Sequence, residues 1–336
     1  MSEAGPAASP LARAVAEQAL SPSDDPALDV ALRRLAAATG PALVGLVFFG
    51  SLRTGAARAN AWSAYDLFAV VEGYRPFYDS LRRAGLTGKR PGLMALVSGW
   101  LPPSQCSLRF EPEGILVKAT VVRYDTYRRE TSPRRRDHFC IGRLFQPTRI
   151  LHARDEAARA GILDGLVEAH RETWAWVRPW LPPRFDAEAY GLAALGTSMR
   201  WEVRPEPTGR ADALWEAQRL AQVPVFEALL HELAGRGEIV GVPGAPGWVA
   251  PTRPVGPLER ARLEVYFRRS IARSTARWLK HVVTFEGWLD YIVRKASRHG
   301  GETIELTERE RRWPLVFVWG RVFRYLRTRN RTATPS

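Results

Sequence analysis

Val44 to Val71 reads VGLVFFGSLRTGAARANAWSAYDLFAVV, and two apolar runs divide it. The first, Val44 to Phe49, stops at Gly50-Ser51. Fourteen residues rich in Gly, Ala and Arg separate Ser51 from Asp66, and the second run, Leu67 to Val71, begins directly behind that Asp. Short apolar runs bounded by turn residues are read as buried strands. One strand then delivers a Gly-Ser turn, and its neighbour delivers a carboxylate beside it. Glycine lets a backbone approach a phosphate closely, and exposed turn N–H groups form a nest for anions. A carboxylate at such a place suits Mg²⁺, which binds through one or two carboxylates plus phosphate oxygens. The plainer alternative is two core strands joined by a loop with a capping Asp.

Working outward, residues 1–27 are rich in Ala, Pro and Ser and are read as a flexible N-terminus. Helical spacing is predicted over Asp29 to Ala38 and over Tyr74 to Arg83, and Leu93 to Trp100 is apolar throughout. Ser107 to Arg109 and Gly114 to Tyr124 read as paired strands around the turn chemistry of Glu111 to Gly114. Helical spacing returns over Asp155 to Val177, Asp186 to Leu195 and Ala211 to Ala234, with Pro224 expected to kink or split the last. Met199 to Arg204 reads as a strand closed by Pro205. Residues 241–257 carry so much Pro and Gly that they read as a linker, ahead of a helical region from Leu258 to Ser297 and a basic aromatic tail. The order of elements favours an α+β or α/β opening domain over 28–152, a mainly helical stretch over 153–240, and a helical C-terminal region over 258–336.

The 336 residues suffice for a sizeable core. A hydrophobic content of 46% and a charged content of 25% are those of an ordinary globular chain. The net charge of +14 is not ordinary and points to an anionic partner: nucleotide, nucleic acid or lipid surface. Lys89, Lys118, Lys280 and Lys295 are the lysines, so Arg carries nearly all the positive charge. Cys106 and Cys140 are too few for a disulfide framework or metal cluster, and a reducing cytosol is expected. The N-terminus lacks the pattern of a secretory signal, and no stretch reaches the roughly 18 apolar residues of a membrane span.

Gly50-Ser51 followed by Asp66 on the next strand resembles the nucleotidyltransferase superfamily, whose signature continues Asp-x-Asp. Phe68 stands where that second carboxylate would be. The strand Gly114 to Val122, the segment Gly142-Arg143-Leu144 with Gln146-Pro147-Thr148, and Glu202-Val203-Arg204 in place of Asp-x-Arg sharpen the likeness. Together they resemble the mitochondrial-type phosphatidate cytidylyltransferases (translocator assembly and maintenance proteins), over roughly residues 44–206. The resemblance implies a nucleotidyltransferase-like mixed sheet followed by a winged-helix-like helical part that also contributes to the active site. It implies an enzyme that makes CDP-diacylglycerol and pyrophosphate from CTP and phosphatidic acid with Mg²⁺, peripherally on the inner, cytoplasmic face of a membrane.

Within that frame Gly50 and Ser51 cradle the triphosphate, and Asp66 holds Mg²⁺, with Glu202 as candidate second carboxylate. Glu202 has an alternative as a strand residue paired with Arg200 or Arg204. Lys118, mid-strand among Leu116, Val117 and Val122, either meets a phosphate or points outward. Arg143 either clamps a phosphate, alongside Arg204, or pairs with a carboxylate such as Asp137. Arg134, Arg135 and Arg136 are read as a solvated loop or as headgroup contacts. Trp313, Phe317, Trp319, Arg321, Phe323, Arg324 and Tyr325 suit a membrane interface, or a helix packed on the body by its aromatic face. Basic aromatic segments also stack on nucleic acid, but no recognised nucleic-acid module accompanies this one. Two rival functions stand beside the lipid enzyme: a nucleotidyltransferase acting on a small molecule, protein or RNA, and a non-catalytic protein that binds anionic membrane or nucleic acid.

Overall fold

A computed structural model describes residues 8–22, 25–50, 52–53, 64–111, 114–202, 210–285, 287, 293 and 307–312. The two apolar runs of the opening segment are strands β1 (Leu43–Phe49) and β2 (Ala64–Val71). They pair antiparallel, with Phe49 opposite Asp66. With β3 (Ser104–Phe110), β4 (Ile115–Arg123) and β5 (Arg149–Ala153) they build a five-stranded sheet in the order β3-β4-β2-β1-β5. β2 and β4 run parallel and the other neighbours antiparallel, so the sheet is mixed. This is an α+β fold.

Side-chain alternation sends the strands' residues to two different cores. On one face Phe48, Leu67, Ala69, Val71, Val117, Ala119 and Val121 pack with three helices, α1 (Pro26–Thr39), α2 (Tyr74–Arg83) and α3 (Pro91–Trp100). On the other face Val47, Phe49, Phe68, Val70 and Val122 join Leu166, Tyr190, Leu229 and Phe267. Those last residues come from helices α4 (Glu156–Arg171), α5 (Ala187–Arg200), α6 (Arg210–Gly235) and α7 (Pro257–Thr284). One continuous core therefore draws on residues from both sides of position 152. The chain forms two compact units, Met1–Glu286 and Gly287–Ser336. In the second, the short helix Glu308–Arg312 is described, with Glu310 accepting from the Thr307 N–H at 2.9 Å.

Four expectations are corrected. Within the N-terminal stretch, Pro10–Ala19 is a helix capped by Ser9, and Leu11, Val15 and Ala19 are fully buried. Met199 and Arg200 are the last residues of helix α5, where the start of a strand was predicted. Of the two outcomes expected at Pro224, the split does not occur: Pro224 lies inside α6, a single helix that runs on past it. The stretch read as a linker is a small antiparallel ribbon, Ile239–Gly241 with Val249–Pro251. Gly244 and Gly247, both at positive φ, make its turn, and the Val242 N–H closes onto the Trp248 carbonyl. A further bridge, Phe185 with Val249, holds the ribbon to the body.

Candidate functional site

Strand register alone brings the central residues together. Asp66 of β2 is level with Phe49 of β1 on one side and Lys118 of β4 on the other, and Lys118 is level with Ser107 of β3. The period of two places Asp66 and Lys118 on the same face as Phe68 and Val122. The Lys118 ammonium lies 3.6 Å from Asp66 Oδ1, with both side chains about a quarter exposed (20% and 31%). Lys118 is thus turned to the carboxylate and is not an outward-facing surface lysine.

Gly50 ends β1 at φ 90°, a left-handed conformation that only glycine adopts cheaply. The Arg53 N–H donates to the Gly50 carbonyl at 3.0 Å, which turns the chain away behind it. A β-carbon placed on Gly50 would lie 3.0 Å from Asp66 Oδ2 and 3.3 Å from Asp66 Cβ. Glycine therefore lets the turn backbone pack directly against the carboxylate. Asp66 presents Oδ1 to a cation, Lys118, and Oδ2 to bare backbone. By donor chemistry alone, a carboxylate oxygen suits a hard divalent cation whose remaining ligands are water or phosphate oxygens.

The missing second carboxylate has a packing reason. Phe68 is fully buried, and its ring sits 4.9 Å from that of Phe49. On this face the position two residues after Asp66 belongs to the core.

Glu202 and Arg143 find each other. Arg143 donates to Glu202 Oε2 at 3.1 Å and to the Phe139 carbonyl at 2.7 Å, with its guanidinium 3.8 Å from the Phe139 ring centre. Both side chains are largely buried. Glu202 thus has Arg143 as an ion-pair partner, while Asp137, the carboxylate expected for Arg143, takes Arg273 and Arg277. Asp137 is buried, and those two guanidiniums hold its carboxyl below the usual range against the opposing cost of burial.

The basic loop divides. Arg134 and Arg136 are exposed, and the Arg136 N–H is tied to Glu130. Arg135 corrects the picture of a solvated run, because its side chain is only 8% exposed. It donates to Glu172 at 2.5 Å and to the Tyr266 hydroxyl at 3.1 Å. Ser51, Arg204, Trp313, Phe317, Trp319, Arg321, Phe323 and Arg324 lie outside the described residues.

Helix α7 supplies residues that the sequence did not single out. It packs on β3 and α3. The Lys280 ammonium donates to the carbonyls of Leu101 and Pro103 and to Ser104 Oγ, and Thr284 donates to the Gln105 carbonyl at 2.7 Å. Those anchors lay the last turns of α7 along the β3 edge, next to β4. His281 falls in this stretch, and burial together with the charges of Lys118 and Lys280 pushes its pKa down to about 3. A neutral imidazole therefore lies within reach of the Lys118 and Lys280 charges. The cue available in the sequence was its position beside Lys280, one of four lysines.

Among the described residues, no helix is long and apolar enough to cross a membrane. No protein-family model matches this chain, and no curated protein is significantly similar to it.

Proposed function

We propose that this chain is a nucleotidyltransferase of the phosphatidate cytidylyltransferase type, working with Mg²⁺ at a membrane surface. The observation that carries the reading is the three-strand arrangement of a Gly50 turn packed against the Asp66 carboxylate with the Lys118 ammonium beside it. CTP and phosphatidic acid as substrates rest on the resemblance of residues 44–206.

In this reading an oxygen of the lipid phosphate attacks the α-phosphorus of CTP. A new P–O bond forms as the α–β phosphoanhydride breaks, and pyrophosphate leaves. Transfers of this kind need positioning and charge neutralisation more than covalent help. Asp66 would hold Mg²⁺, which supplies Lewis-acid charge neutralisation when bound. Lys118 places a positive charge beside the same carboxylate and would meet phosphate oxygens as they enter. The Gly50 turn would set its backbone beside the carboxylate, where phosphates approach it.

A second reading, a non-catalytic binder of anions, is favoured by one observation. Phe68 is locked into the core where a second carboxylate would stand, and Glu202 is engaged with Arg143. Pyrophosphate release from each of the four nucleoside triphosphates with Mg²⁺, with and without phosphatidic acid vesicles, separates the two. Release from CTP that requires the lipid, and is lost in Asp66→Asn with an unchanged melting curve, is the expected result. Release from another nucleotide without lipid would move the reading to another acceptor. No turnover with any nucleotide would leave the binding protein.

A further inference from the structure

Helix α3, PGLMALVSGW, carries no charged residue over its ten positions. Its inner face is accounted for: Met94 and Ser98 are fully buried, and Ser98 Oγ bonds the Tyr78 hydroxyl at 3.0 Å. Its outer face is equally apolar yet bare, with Leu93 46%, Leu96 71% and Trp100 71% exposed. These residues recur at i, i+3 and i+7 and form one stripe. The neighbouring α2 shows what a solvent-facing helix of this fold looks like, since its outer residues are Arg75, Asp79, Arg82 and Arg83. Helix α7 packs against α3. Leu279 of α7, 50% exposed, precedes Lys280, whose ammonium is bonded to the carbonyl of Leu101.

The rim of this face is positive. Residues 74–100 contain five basic side chains, Arg75, Arg82, Arg83, Lys89 and Arg90, against the single acid Asp79. Arg82, Arg83 and Arg90 are exposed, and the Arg75 guanidinium lies against Gly92 at the start of α3. A bare apolar stripe with a Trp at one end and cations around the other is complementary to a bilayer. Aliphatic side chains enter the acyl boundary, Trp settles at headgroup level, and Arg meets lipid phosphates.

We infer that the outer face of α3, with Leu93, Leu96 and Trp100 and its arginine rim, docks this protein onto an anionic lipid bilayer. Docking of this kind rests on the membrane-surface part of the proposed function and not on its chemistry.

The test is co-sedimentation of the full chain, without nucleotide, on phosphatidylcholine vesicles with and without phosphatidylglycerol. The wild-type chain is expected to bind the anionic vesicles and to be released by salt. Leu96→Gln/Trp100→Gln is expected to weaken binding at least about tenfold, since both side chains forfeit their apolar burial in the bilayer. Because both side chains are exposed, its melting temperature should not move. An environment-sensitive dye on Leu96→Cys should shift to the blue on anionic vesicles, the native Cys106 and Cys140 being buried. Leu20→Gln, an exposed leucine elsewhere, serves as the control that should bind normally. Wild-type binding that the double variant retains would overturn the docking face while leaving membrane attachment intact. Absence of binding to any vesicle would overturn both. Vesicle-independent dimerisation abolished by the double variant would reassign the face to a second copy of the chain.

Discussion

Gly50→Ala probes the centre of the candidate site through stability alone, whatever reaction the site performs. Two costs arise from the structure. The first is conformational: φ of 90° places an alanine in a sparsely populated backbone region, at about 1–2 kcal/mol. The second is contact, because the new methyl would lie 3.0 Å from Asp66 Oδ2 and 3.3 Å from Asp66 Cβ, both inside ordinary van der Waals distance. Asp66 cannot easily retreat. Its backbone is paired on both sides, to β1 and β4, and its other oxygen faces Lys118 at 3.6 Å. Overpacking that forces such a shift costs about 1–3 kcal/mol, so the total should be roughly 2–5 kcal/mol. Gly85 isolates the first term, since it has φ of 70° and an added methyl there would meet nothing within 4 Å. Gly85→Ala should therefore cost only about 1 kcal/mol. Urea unfolding of both variants, and of Gly50→Ala in an Asp66→Ala background, completes the comparison. The double variant should recover about 1 kcal/mol of coupling. Equal costs for Gly50→Ala and Gly85→Ala, with no coupling to Asp66, would refute the close approach of turn and carboxylate.

Acid should weaken the fold before most carboxylates titrate. Burial pushes His138 down to about 3 and His170 down to about 4, so both stay neutral in the folded chain while their unfolded forms protonate near 6.5. The unfolded chain then binds more protons below that value, and stability is lost as pH falls from about 6.5 toward 4. At pH 5 each histidine contributes about 2 kcal/mol of that loss. Urea midpoints at pH 7 and pH 5 measure it, and equal midpoints would contradict the neutral, buried state of both rings. Arg277→Met should cost roughly 3–5 kcal/mol by stripping the buried Asp137 of one of its two guanidiniums. Adding Asp137→Asn should restore part of this, and a single-variant cost below about 0.5 kcal/mol would show the pair to be dispensable.

What was legible in the chain was whatever a neighbour along the sequence decides. The apolar runs around Gly50 and Asp66 became β1 and β2 because every residue from Leu67 to Val71 is buried, and a strand covered on both faces needs no alternation. Tyr74–Arg83 is a helix over the predicted residues, its Phe77 and Leu81 fully buried. Met199 to Arg204 misled for the opposite reason. Its apolar and polar residues do alternate, yet helix α5, capped by Asp186, runs into it, and Trp201 stacks on Phe267 of α7 at 5.1 Å. A distant aromatic ring outweighed the local period. The 241–257 stretch misled through composition: its glycines serve as positive-φ turn residues of a ribbon, where the same residues unpaired would be a linker.

The site divides along the same line. Register sets Phe49 level with Asp66 and Asp66 level with Lys118, and the turn at Gly50 follows directly, so two apolar runs and a mid-strand lysine were enough to point at all three. The partner of Glu202 was not within reach of that logic, since Arg143 comes from a different segment and the two meet only through tertiary packing. Nor was His281, which feels the charge of Lys118 on a helix that Lys280 and Thr284 bond to the edge of β3. The same anchoring explains why a lysine at position 280 sits buried: its ammonium has three oxygen acceptors in place of water. A strand pattern can therefore locate a carboxylate and its nearest cation. The second layer, which sets the electrostatics around them, depends on a helix roughly 160 positions downstream, and only the folded chain brings it there.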